Sequence, residues 1–232
     1  MTASTRPHNN QLRAVYFDLD GTLVDTAPDM VAVLNRIIAK HNRPAVPWEV
    51  ARNNVSNGSV GLLRLPFPDA APPAMQELVE EFLADYATSL CVESDVFPPL
   101  RDLLDDLQAN GNPWGVVTNK PDRMTVPLLE ALGIGKHAAS VVSGDTLEER
   151  KPHPAPMLYA AELAGISPSE MIYVGDARRD IEAGRAAGMI TVAVGYGYIE
   201  ADDDPRLWGA DKYAANTMDL VALVRQMIGL RN

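Results

Sequence analysis

The chain has little of what disulfide scaffolds, zinc centres or nucleic-acid surfaces are made from. A single cysteine, Cys91, precludes an intrachain disulfide and reads as a small buried hydrophobe, with nothing to suggest an oxidising compartment. The four histidines, His8, His41, His137 and His153, include no pair at metal-ligand spacing, which sets a zinc site aside. Basic residues number 20 against 31 acidic ones, a formal net charge of −11. Phosphate backbones are gripped by clustered Lys and Arg, so nucleic acid is disfavoured as a partner. No apolar run approaches bilayer-spanning length, and Met1–Gln11 has no apolar core segment. No membrane association and a cytoplasmic location are therefore expected.

What is present is ordinary globular material. Apolar residues make up 47% and charged residues 22% of 232 positions, enough for one large core or for a core domain carrying a smaller insert. The negative field slows the approach of an anionic substrate, so a phosphate site here needs concentrated local positive charge.

Short apolar runs ending at small or polar residues mark buried strands: Ala14–Phe17, Trp114–Thr118, Met171–Asp176, Ile190–Gly195 and, more weakly, Ser140–Ser143. Between them lie helical patterns over 100–108, 121–132, 155–164 and 179–187, each followed by glycine. Strands alternating with helices imply an α/β fold with a Rossmann-like parallel sheet, whose ligands bind at the carboxyl ends of the strands. The alternation breaks between Pro28 and Glu93, where 29–41 and 74–90 read as amphipathic helices with no strand between them. The organisation expected is a catalytic core formed by residues 1–22 and 95–232, and a small α-helical cap, 23–94, inserted after the first strand. The stretches 23–26 and 92–99 are the two crossings, and together a natural hinge.

Asp18-Leu-Asp20-Gly-Thr at the end of the first strand resembles the signature of the haloacid dehalogenase (HAD) superfamily. Val117-Thr118-Asn119, Lys151-Pro152 and Gly175-Asp176-Ala-Arg-Arg-Asp180 follow in the order of that family's further motifs. Chemistry gives these residues roles of their own. Two carboxylates one residue apart at a strand end divide the work: Asp18 attacks phosphorus to form an aspartyl-phosphate, and Asp20 serves as acid and then base. Carboxylates gathered around a phosphate require a hard divalent cation, which points to Mg2+. The resemblance implies Asp18, the main-chain carbonyl of Asp20, and Asp176 as its ligands. Asp180, one helical turn beyond Asp176, is placed behind them, orienting a metal-bound water. Thr118, Lys151 and Asn119 are the phosphate-binding donors, with main-chain N–H groups after Asp18.

The length and helical pattern of the insert resemble the cap of phosphoglycolate phosphatases. The segments Trp114–Pro121, Val194–Ile199 and Trp208–Asp211 resemble a proteobacterial branch of them, some of whose members act on N-acetylmuramic acid 6-phosphate. That resemblance implies a small phosphorylated metabolite as substrate, with 2-phosphoglycolate and N-acetylmuramic acid 6-phosphate both open, and a monomer or homodimer. Ser56, Asn57, Gly58 and Arg64 of the insert are the specificity candidates, weighed equally against a plain loop joining two helices. Asp25 reads as directing its crossing toward the cap in preference to merely capping the helix after Pro28, His153 as loop surface, Arg178 and Arg179 as a solvated helix face at least as readily as phosphate ligands, and Trp48, Trp114 and Met75 as packing. The alternatives are a sugar-phosphate mutase, a phosphonatase, for which Lys40 is the insert's only lysine, and a non-catalytic binding module on the same fold.

Overall fold

The structure, a computed structural model, describes residues 12–230. The expected core's outermost residues, 1–11 with His8 and 231–232, lie outside the described residues.

Strand β1 (Ala14–Phe17) is buried at every position and leads through the Asp18–Gly21 turn into β2 (Val24–Asp25). Four helices follow, α1 (Ala27–Lys40), α2 (Trp48–Asn53), α3 (Gly58–Arg64) and α4 (Pro72–Ala87). The chain returns through β3 (Asp95–Val96) to α5 (Leu100–Ala109), β4 (Trp114–Val117), α6 (Asp122–Ala131) and β5 (Val141–Val142). It continues with α7 (Ala155–Ala164), β6 (Met171–Gly175), α8 (Arg178–Ala187), β7 (Ile190–Val194), β8 (Lys212–Ala214) and α9 (Thr217–Ile228). Each helix expected in the core starts and stops within one residue of its pattern. Gly188, at φ 81°, closes α8 in the left-handed conformation that glycine adopts without a Cβ penalty.

Six parallel strands form one sheet in the order β5-β4-β1-β6-β7-β8. The chain moves outward from β1 to β5 on one side, then resumes at β6 on the other. The strand order therefore reverses at β1, and a crevice opens beyond the carboxyl ends of β4, β1 and β6. Alternation along the strands builds two apolar layers. Val15, Phe17, Val116 and Val174 pack against Leu103, Leu128 and Leu220, while Tyr16 and Tyr173 pack on the opposite face against Met157, Ala160 and Ala183.

The insert has its own core, in which Leu34, Ile37, Leu62, Leu63 and Phe82 interlock and which touches the body through Met124 and Tyr198. Each large side chain buried there contributes about 1.5–3 kcal/mol relative to exposure. Its two crossings pair antiparallel, Val24 with Val96 and Asp25 with Asp95. The buried Asp29 carboxylate clamps the return crossing. It accepts the N–H groups of Val92, Glu93 and Ser94 at 3.0, 3.0 and 2.9 Å and the Ser94 hydroxyl at 2.6 Å.

Helices α2 and α3 run six and seven residues, too short for a periodic pattern, and both fall where the sequence reads as loop. Strand β8 has two exposed residues of three and left no apolar signal. Trp114 and Met75 are packed, but Trp48 is 46% exposed because it opens α2 at the outer rim of the insert. Cys91 is half-buried rather than buried, its thiol directed at the Ser94 carbonyl 3.4 Å away. Among the described residues no helix is long and apolar enough to cross a membrane.

Candidate active site

The apolar strand β1 ends at Asp18, whose N–H still bonds to the Val174 carbonyl of β6 at 2.9 Å. The backbone then turns sharply at Gly21, with φ 80°, where an added Cβ would collide with the Asp176 carboxylate. Only glycine lets the chain reverse this close to a neighbouring strand end. The turn aims Asp18 and Asp20 into the crevice, where both line one cavity with Thr118 and Asn119 from the end of β4.

Lys151 ties the far-apart motifs together. Its side chain is wholly buried, with Nζ 2.9 Å from Asp18 Oδ1 and 2.7 Å from Asp180 Oδ1. It also donates to the Val117 carbonyl and to the Tyr173 hydroxyl, each at 2.9 Å. Asn119 holds the Lys151 backbone at both ends, accepting its N–H at 3.1 Å and donating to its carbonyl at 3.0 Å. The Asn119 side chain thus fixes the lysine loop while it lines the cavity beside Thr118.

Asp176, at the end of β6, accepts the Thr22 hydroxyl at 3.1 Å on Oδ1, and on Oδ2 the Ser56 hydroxyl at 2.9 Å and the Tyr198 N–H at 2.8 Å. Asp180 Oδ2 accepts the Ala177 N–H at 3.0 Å, which seats the first turn of α8. Carboxylate oxygens of Asp18, Asp176 and Asp180 lie within 4.8 Å of one another, all buried. Burial and the charges of Asp18 and Asp180 push Asp176 up to about 7, and burial also raises Asp180. Four carboxylates with Asp20 share the site with the cations Lys151, Lys120 and Arg179, and Arg150 stands at the cavity wall. An all-oxygen, acid-rich donor set of this kind fits a hard divalent cation.

The insert forms the opposite wall. The cavity, about 500 Å³, is bounded there by Met30, Val55, Phe82 and Tyr86 and by the polar run Ser56, Asn57, Gly58 and Ser59. Asn57 donates to Glu200 of the body at 2.7 Å. Arg64 turns outward to the carbonyls of Pro68 and Ala70 at 3.2 and 3.1 Å and does not line the cavity. Lys40 is also on the exterior, paired with Glu81 at 2.7 Å, and does not line the cavity.

The family model described as haloacid dehalogenase-like hydrolase matches residues 15–194. The chain belongs to this family. A phosphoglycolate phosphatase of Xanthomonas campestris pv. campestris is 44% identical over 199 residues, covering 86% of this chain and 90% of that protein. An N-acetylmuramic acid 6-phosphate phosphatase of Pseudomonas putida is 38% identical over 211 residues, covering 90% and 95%. A crystal structure described as a predicted phosphoglycolate phosphatase from Haemophilus somnus superposes with a TM-score of 0.82 at 29% identity, covering 92% of this chain and 98% of that one. The chain is accordingly a phosphoric monoester hydrolase.

In this haloacid dehalogenase-like hydrolase several contacts of the site come from residues that the sequence leaves without a role or undecided. Lys120 lies 3.0 Å from Asp20 Oδ1; its only advance signal is its place beside Thr118-Asn119. Burial opposes its charge, yet Asp20 and Tyr86 hold the ammonium above the ordinary lysine range. Arg179 is half-buried and reaches the Ser56 carbonyl of the insert at 2.8 Å, whereas its neighbour Arg178 is exposed near Asp203. Tyr198 receives the N–H groups of Thr26 and Ala27 at 2.7 and 2.8 Å and donates to Asp25 Oδ1 at 2.6 Å. Asp25 therefore braces the start of α1 both through Tyr198 and by accepting the Ala27 N–H itself at 3.4 Å. His153 is exposed and accepts the Ala155 N–H at 3.2 Å.

The raised Asp176 carboxyl makes stability depend on pH in a definite direction. In metal-free protein the native state holds a proton that the unfolded chain, at the ordinary 3.8, releases. The stabilisation is complete below 3.8 and is lost as pH rises toward about 7. Melting temperature in chelator is expected to fall across that window, and the Asp176→Asn protein to show a shallower fall, the remainder coming from Asp180, which burial also raises. A chelated wild type with the same pH slope as Asp176→Asn contradicts this assignment.

Proposed function

We propose that this enzyme hydrolyses a phosphorylated sugar acid of the kind named for its Pseudomonas relative, N-acetylmuramic acid 6-phosphate, through Asp18 and with Mg2+. The observation that carries the reading is the meeting of Asp18, Thr118, Lys151, Asp176 and Asp180, from separate stretches of chain, at one edge of the sheet.

Asp18 attacks phosphorus and takes the phosphoryl group, while Asp20 protonates the departing alcohol oxygen. Asp20 then removes a proton from water, which attacks the aspartyl-phosphate and releases inorganic phosphate. Thr118, Lys151 and the main-chain N–H groups after Asp18 stabilise charge on the phosphoryl oxygens. Mg2+ held by Asp18, Asp176 and the main-chain carbonyl of Asp20 would neutralise the carboxylates and the phosphate. Asp180, engaged by Lys151 and the Ala177 N–H, steadies that arrangement from behind. Residues 23–94 act as a cap that closes over the core, 1–22 and 95–232, and excludes water.

The cavity supports the larger substrate. Pockets of roughly 300–1,000 Å³ suit ligands well above the size of a two-carbon acid, and this one measures about 500 Å³. Its apolar side, Met30, Val55, Phe82 and Met124, suits the face of a sugar ring and an acetyl methyl, and Ser56 to Ser59 offer polar groups to the ring substituents. With Mg2+ present, kcat/KM for N-acetylmuramic acid 6-phosphate is expected to exceed that for 2-phosphoglycolate by about two orders of magnitude. A reversed ranking overturns the substrate, and no phosphate release from any phosphomonoester overturns the chemistry.

A further inference from the structure

The acid/base carboxyl is held by two side chains, Thr26 and Lys120, to which the sequence alone gives no role. Asp20 Oδ1 accepts two donors at once, the Thr26 hydroxyl at 2.7 Å and the Lys120 ammonium at 3.0 Å. Thr26 leads into α1 and Lys120 follows β4, so the two donors approach from different elements and fix the plane of the carboxyl. With both contacts on Oδ1, Oδ2 is the oxygen left to meet the leaving group. The Lys120 backbone is itself pinned: its N–H bonds to Thr118 Oγ1 at 3.2 Å, and its carbonyl accepts from Gly144 N–H at 2.8 Å and Thr125 Oγ1 at 3.1 Å.

The ammonium has a second partner, from the insert. Tyr86, on the last turn of α4, places its hydroxyl 3.0 Å from Lys120 Nζ, and the ammonium lies 4.6 Å from the centre of the same ring. The lysine side chain is 5% exposed and the tyrosine is fully packed. A buried ammonium is tolerated only when its charge is satisfied. Withdrawal of α4 removes one acceptor and one aromatic face and opens Lys120 to water, which competes for the bond to Asp20. The insert's distance from the body is thus transmitted to the orientation of Asp20 through one side chain.

We propose that Lys120 is a positioning residue that orients Asp20 for proton delivery and, through Tyr86, makes that orientation depend on closure of the helical cap. This rests on the assignment of Asp20 as the acid, and the test separates the two. The value of kcat/KM reports only steps through leaving-group departure, so it isolates phosphoryl transfer to Asp18 from the later hydrolysis. Two substrates are compared: N-acetylmuramic acid 6-phosphate, whose alkoxide must be protonated, and p-nitrophenyl phosphate, whose phenolate departs without a proton.

Lys120→Met is expected to lower kcat/KM for the sugar phosphate about 100-fold and for the aryl phosphate less than about threefold. Tyr86→Phe, which removes one oxygen and keeps the ring packed, is expected to show the same selectivity at about tenfold, and it carries the test if Lys120→Met does not fold. Lys120→Arg should recover part of the loss. Equal losses on the two substrates for both variants reduce Lys120 to a packing element and overturn the proposal, and a Tyr86→Phe enzyme identical to wild type overturns the link to the cap. Asp20→Asn serves as the reference. If its own loss is equal on the two substrates, the acid assignment falls; if it is selective and Lys120→Met is not, only the present inference falls.

Discussion

Asp18→Asn is expected to lower phosphate release by roughly 10⁵-fold or more, the scale on which removal of a catalytic nucleophile acts. An amide keeps the shape of the side chain but cannot form the acyl phosphate. The fold should tolerate the change, because the charge of Asp18 is one of the causes that force a proton onto Asp176. Removing it relieves repulsion among buried carboxylates, at the cost of the 2.9 Å ion pair to Lys151, which keeps Asp180 as its other partner. The measurements are kcat with saturating Mg2+ and the denaturation midpoint of the same preparation. A folded variant that releases phosphate at the wild-type rate ends the nucleophile assignment.

Lys151→Met should be damaging in both respects. The ammonium donates to the Val117 carbonyl and the Tyr173 hydroxyl, each at 2.9 Å, and lies at ion-pair distance, 2.9 and 2.7 Å, from Asp18 and Asp180. Its removal leaves two buried carboxylates without their common cation, a loss of about 3–5 kcal/mol when a buried pair is broken from one side. Activity in the fraction that folds should fall by about 10³-fold, since a preorganised charge at the phosphoryl group is gone. Urea midpoints and kcat give the two numbers independently. Lys151→Arg should restore little, because the wider planar guanidinium has no room in a niche with no exposed lysine surface. A Lys151→Met protein as stable and as active as wild type would show that the lysine bridges nothing of consequence.

Much of the core was legible because its signals are local. Apolar strands buried on both faces read as short continuous runs, Asp18 and Asp176 stand at the residue where such a run stops, and glycine follows each helix. The insert was legible only in its long helices. Nothing local distinguishes the turn around Ser56 from any other polar loop, yet it carries the hydroxyl that meets Asp176 and the carbonyl that meets Arg179. Arg64 is a specificity candidate on sequence alone, but the structure directs it outward to the carbonyls of its own loop.

By itself the sequence determined the chemistry on offer and the layered architecture, since residue type, period and turn residues act over a few positions. Tertiary structure alone decided which charges meet. Lys120 and Asp20 are 100 positions apart, Ser56 and Asp176 are 120, and Thr22 and Asp176 are 154. Such pairs are made by the reversal of strand order at β1 and by the seating of the helical insert. No periodicity records either, because both follow from how whole elements pack and not from what any one stretch of chain prefers.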